Sequence, residues 1–153
     1  MGDRLVSKPR YQRDGRAPLP QSEKTSKVMS ANRGKDTRPE IILRRALWAK
    51  GIRGYRLHSK DLPGRPDIVF PKCRLAIMVN GCFWHRCPNC KPSIPKSHTT
   101  FWNDKFARNI ERDSRVIREL NDMGWRTIVV WECSIRSNVD EVVKMIENEI
   151  GVL

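Results

Sequence analysis

Residues 73–90 read "CRLAIMVNGCFWHRCPNC", and two runs of opposite character meet at Asn80. Leu75 to Val79 is unbroken apolar sequence, the mark of a strand buried on both faces in the middle of a sheet. The next ten residues crowd three cysteines, a histidine and two adjacent large aromatics onto the exit of that strand. Fold and function are both to be read from this strand exit.

Upstream, "DTRPEIILRRALWAKG" predicts a helix. Thr37 and Glu40 have capping-box spacing, Pro39 suits a first turn, and Gly51 suits the C-terminal cap. "GYRLH" and "PDIVF" follow as short β-rich runs between Pro and Gly signals. Downstream, Trp102, Phe106, Ile110, Ile117 and Leu120 form the stripe of a long amphipathic helix that stops at Gly124. "WRTIVVWEC" reads as a fourth, buried strand. "VDEVVKMIENEI" closes the chain as a helix with Val139, Val142, Val143, Ile146 and Ile150 on one side. The order α-β-β-β-α-β-α predicts an α/β sandwich, a four-stranded mixed sheet with helices on both faces.

A chain of 153 residues has room for one domain whose core needs no metal merely to fold. Thirty Lys+Arg against seventeen Asp+Glu give a formal charge of +13, which favours an acidic polymer as partner. Nucleic acid is the expected one. No amphipathic basic helix or long apolar run offers a membrane mode. Residues 1–28 carry seven Lys/Arg, three Asp/Glu and few large apolar residues, so they predict a disordered basic arm ahead of a folded domain at 29–153. The five cysteines and the lack of an apolar leader point to a reducing cytoplasm and metal-bound thiolates, not disulfides.

Cys82, Cys87 and Cys90 have C-x4-C-x2-C spacing, and Cys133 ends the next buried strand, where it approaches the same edge. Four soft ligands suit structural zinc. Cys133 is alternatively a small buried hydrophobe. Cys73 is the odd thiol and is expected to pack. His85 is a possible ligand in place of one cysteine. With four thiols available it is better placed as an acid-base group over the sheet. Asp67, in a Pro-Asp step before a strand, is either a turn cap or a functional carboxylate.

Taken together, "MSANRGKDTRPEIILRRAL", "DLPGRPDIVF", "VNGCFWHRCPNC", "FWNDKFARNIERD" and "GWRTIVVWEC" resemble, in that order and spacing, the very short patch repair (Vsr) endonucleases. The resemblance runs from about Lys27 to Cys133. It implies a restriction-endonuclease-like fold, a structural Zn2+ and a Mg2+-dependent enzyme that nicks one strand of double-stranded DNA beside a T:G mismatch. By the same resemblance Asp67 binds magnesium, the Val79 carbonyl is a further metal ligand, His85 is the acid-base group, and Glu40 is a supporting acid. For Glu40 the helix cap is an equal alternative.

The resemblance also makes Phe83, Trp84 and Trp102 a wedge entering the base stack, with Met29 from the other groove, and Lys105 and Asn109 DNA contacts. Phe83 and Trp102 fit a packing role too. A cognate cytosine methylase system and repair proteins are implied partners, and a monomer is expected. Asn80 stands where the family commonly has histidine, and the usual second acidic residue on the Val79 strand is missing. Two other readings stay open: a restriction or defence nuclease without strict mismatch dependence, and a zinc-stabilised DNA-binding module without catalysis.

Overall fold

The computed structural model describes residues 34–151 together with Glu23. The basic arm predicted at 1–28 and the wedge residue Met29 lie outside the described residues, apart from Glu23. Helix α1 (Arg38–Ala49) leads into β1 (Arg56–Leu57), β2 (Ile68–Phe70), β3 (Leu75–Asn80), a single turn α2 (Cys82–His85), the long α3 (Thr99–Asp122), β4 (Arg126–Trp131) and α4 (Glu132–Gly151).

The strands form one sheet in the order β1-β2-β3-β4. The first two pairings are antiparallel and β3 with β4 is parallel. A parallel pair requires a crossover, and α2, the cysteine loop and α3 supply it. Period-two alternation then sorts the core. Ile68, Phe70, Leu75 and Ile77 face α1 and α4, meeting Leu43, Leu47, Val142, Val143 and Ile146. Val69 and Ala76 face α3 through Val116 and Leu120. This is the expected mixed sheet between helical layers.

Several local expectations change. The inward stripe of α3 uses Trp102, Phe106, Val116 and Leu120, while Ile110 is 48% exposed and Ile117 only half-buried. The helix turns one residue away from the apolar choice because its middle inward positions are Asn109 and Asp113. Glu132 and Cys133 open α4 and do not extend β4. Helix α4 therefore begins before "VDEVV", with a non-helical Asn138 (φ −158°) between its two parts.

The capping box is also rearranged. The Thr37 hydroxyl donates to Glu40 Oε1 at 2.9 Å, and Oε2 accepts the Asp36 N–H at 3.0 Å, one residue earlier than the standard box. At the other end, Gly51 (φ +84°) and Ile52 send their N–H groups to the Trp48 and Leu47 carbonyls, closing α1 with a Schellman motif.

Parallel pairing brings the β3 and β4 ends level, with Asn80 opposite Trp131. Cys82 and Cys133, far apart in the chain, are therefore neighbours at one sheet edge.

Candidate active site

Asp67 immediately precedes β2. Its Oδ2 accepts the Val79 N–H at 2.7 Å, which folds the carboxylate over the end of β3. Its carbonyl accepts the His58 N–H at 3.1 Å, extending the β1–β2 pairing. Burial raises the Asp67 pKa from 3.8 to about 6; the Val79 N–H lowers it, the Glu40 charge raises it, and His58 and His85 lower it. The charges of Glu40, His58 and His85 thus all act on the carboxylate. Val79 occupies one oxygen and leaves Oδ1 without a protein partner among the described residues.

His85 ends α2. Its Nδ1 lies 2.5 Å from Asp113 Oδ2, and both side chains are only partly exposed. The carboxylate fixes the ring and its tautomer, so Nε2 is left to hold or move a proton. Asp113 was missed in the sequence. The signal was present: 102, 106, 109, 113, 116 and 120 step by four and three, and a polar residue inside such a stripe faces the site instead of the core.

Phe83 and Trp84 on α2 join Phe101, Trp102 and Phe106 on α3 in a continuous set of aromatic contacts, with centroids 5.0 to 6.0 Å apart. Trp102 takes the core position that its helical spacing allowed: it is 8% exposed and stacks on Phe106. Phe83 and Trp84 are half-buried on top of it. Asn109 donates to the Trp84 carbonyl at 3.0 Å, and the Lys105 ammonium sits 5.0 Å from the Trp84 ring centroid. Arg86 closes the other side over Phe106 and donates to the Ser93 carbonyl. Trp84 and His85 are thus consecutive on one turn, each held from α3.

The thiols of Cys82, Cys87, Cys90 and Cys133 place their sulfurs within 4.8 Å of one another. Cys87 and Cys133 Sγ are 3.7 Å apart. A tetrahedron with Zn–S bonds of about 2.3 Å has edges of roughly 3.8 Å, so the set fits a zinc ion. Without a cation, burial pushes the Cys82 thiol up to about 12, against a Cys133 N–H that donates to it. Burial also acts upward on Cys87, where the Cys90 and Asn89 backbone groups and neighbouring thiols outweigh it and lower the pKa. The Cys90 thiol is raised as well, by burial first and then by the neighbouring thiols, so the crowded sulfurs favour thiolate only at Cys87. Cys73 lies apart and donates to the Phe70 carbonyl, as a packing cysteine would.

Asp67 and Val79 are therefore in direct contact, Glu40 and His85 act on Asp67 through their charge, and Phe83, Trp84, Trp102, Lys105 and Asn109 are brought together. No helix of the described residues is long and apolar enough to cross a membrane.

The sequence is similar to those of known DNA endonucleases. The family described as DNA mismatch endonuclease Vsr matches residues 19–91. The type II nicking enzyme V.XorIIP of Xanthomonas oryzae pv. oryzae is 45% identical over 113 residues, covering 74% of this chain and 82% of that protein. The DNA mismatch endonuclease Vsr of Escherichia coli (strain K12) is 40% identical over 111 residues, 72% of this chain and 70% of its own length. The type II nicking enzyme V.NaeI of Lentzea aerocolonigenes is 38% identical over 133 residues, 84% and 80% of the two chains. With a four-cysteine edge, a partly buried aspartate over the central strand and relatives matched over most of their length, the chain belongs to the DNA mismatch endonuclease Vsr family.

Proposed function

We propose that this Vsr-family protein nicks one strand of double-stranded DNA beside a T:G mismatch by magnesium-dependent phosphodiester hydrolysis. The observation that carries the reading is the adjacency of Trp84 and His85 on one braced turn. Base–aromatic stacking returns roughly 1–3 kcal/mol per base, and unstacking costs least where pairing is already imperfect. A duplex that admits Trp84 and Phe83 brings its phosphate toward His85 and Asp67 together. Recognition and chemistry then share one rigid element.

The donors fit a hard divalent cation: Asp67 has one carboxylate oxygen without a protein partner among the described residues, and Val79, whose N–H binds the other, offers a backbone carbonyl. Magnesium held by Asp67 and the Val79 carbonyl would polarise the phosphate and acidify a bound water. His85, oriented by Asp113, would exchange the proton of the attacking or leaving oxygen through Nε2. Glu40 lends negative charge beside Asp67. Lys105 and the net charge of +13 favour the polyanion. The four thiols would hold zinc, and Cys82 and Cys87 would then anchor both ends of the turn that carries Trp84 and His85.

Incubation with T:G and matched duplexes, with and without magnesium and with the strands resolved separately, tests the reading. Nicking of one strand of the T:G duplex alone supports it. Equal cleavage of both duplexes rejects mismatch dependence in favour of a restriction or defence nuclease. Trp84→Ala is expected to lose the preference for T:G over T:A in single-turnover nicking, with zinc content unchanged; full retention of the preference rejects the wedge.

A further inference from the structure

One polar cluster shares Glu40 with the chemistry above but extends beyond it. Asp36 and Glu40, at the start of α1, and His58, at the end of β1, place one ligand atom each within 4.8 Å of one another. His58 Nε2 is 3.1 Å from Asp36 Oδ1 and 3.7 Å from Glu40 Oε2. Glu40 is 3% exposed, and a buried carboxylate needs a counter-charge. The arginine paired with this cluster, Arg44, binds Asp36 at 2.8 Å and leaves Glu40 with neutral donors and the imidazole. Asp67 adds a third carboxylate close enough to interact with Glu40. Asp36, Glu40 and Asp67 thus set three carboxylates against one arginine and the His58 imidazole, a local excess of negative charge. The helix-start contacts of Glu40 explain its place on α1 but do not balance that charge.

Two carboxylates and one imidazole form a donor set of borderline hardness. The imidazole nitrogen suits a first-row transition cation better than Mg2+, which favours oxygen ligands and retained water. We propose that Asp36, Glu40 and His58 form a second divalent-cation site, separate from Asp67 and Val79, that takes Mn2+ in preference to Mg2+. The site rests on these three side chains and stands whether or not Asp67 carries the catalytic ion.

The test is Mn2+ titration of the zinc-loaded full chain, followed by the electron paramagnetic resonance of free Mn2+. Wild type is expected to bind two Mn2+ per chain. His58→Gln and Asp36→Asn, which keep hydrogen-bonding capacity, should each weaken one of them at least tenfold and spare the other. Asp67→Asn should remove the spared ion, and excess Mg2+ should displace it first. Zinc content and melting temperature report whether each variant is folded. A wild type that binds no Mn2+, or only one that His58→Gln and Asp36→Asn both leave at wild-type affinity, overturns the proposal. So does either folded cluster variant that keeps both ions at wild-type affinity. Loss of the Asp67 ion alone would fault the magnesium assignment and leave this site standing.

Discussion

Replacing Asp67 with asparagine should stabilise the protein while stopping its chemistry. Burial raises the Asp67 pKa from 3.8 to about 6, so holding the carboxylate ionised in the fold costs about 1.4 kcal/mol per pH unit of that difference. The full difference is about 3 kcal/mol, and residual solvent contact brings the expected gain to about 1–3 kcal/mol. Asparagine keeps an oxygen for the Val79 N–H but carries no charge. The sign follows from proton binding. Between the two pKa values the folded state holds the proton more tightly than the unfolded chain, so wild type loses stability as pH rises through this window and pays the whole cost above pH 6. The advantage of Asp67→Asn is therefore full at pH 8, falls to roughly half at pH 5, and vanishes below the unfolded value. Urea unfolding of zinc-loaded, magnesium-free protein at pH 8 and pH 5 measures it. Added magnesium should stabilise wild type alone. A variant no more stable than wild type at pH 8, or one whose gain is the same at pH 5, refutes the electrostatic account of the site.

Asp113→Asn should lower the single-turnover rate on the order of a hundredfold with DNA affinity little changed, because His85 loses its charged orienting partner. Combining it with His85→Ala should cost no more than His85→Ala alone, as expected for residues acting as a unit; additive losses would separate them. Cys133→Ser should reduce zinc below one ion per chain and cost several kcal/mol in thermal unfolding, whereas full occupancy with an unchanged melting temperature removes it from the ligand set. Gly64→Ala should cost about 1–3 kcal/mol, because a Cβ there would lie 2.4 Å from Val116 Cγ1 at φ +69°. Gly51→Ala, at φ +84° with open space around it, should cost only about 1–2 kcal/mol, and equal losses at the two sites would show that the Gly64 contact is relieved.

Where side-chain periodicity and short-range chemistry agree, the structure follows the sequence closely. The central strand lies where "CRLAIMVN" places it, and the sulfurs of Cys82, Cys87, Cys90 and Cys133 come together at its exit. Legibility fails where a polar residue holds an inward position. Ile110 and Ile117 look like core, but Asn109 and Asp113 take the inward places because Trp84 and His85 offer them partners across space. No spacing within α3 announces such partners. The Asp36–His58 contact is equally invisible, since it joins residues 22 apart that meet only once β1 has packed beside α1. The wedge is mixed: a half-buried Trp84 fits it, whereas Trp102 supports the ring from below.

The level ends of β3 and β4 also govern where the chain can change length. Cys82 and Cys87 bracket Phe83, Trp84 and His85, and Cys133, in the first turn of α4, holds the bracket against the end of β4. One residue added between the first two cysteines would rotate the ring and the imidazole away from α3. From Ile94 to Ser97 no regular element forms, and Arg86 has already tied down the preceding carbonyls of Pro92 and Ser93. Insertions among relatives should therefore accumulate after Ser93 and be absent between Cys82 and Cys87.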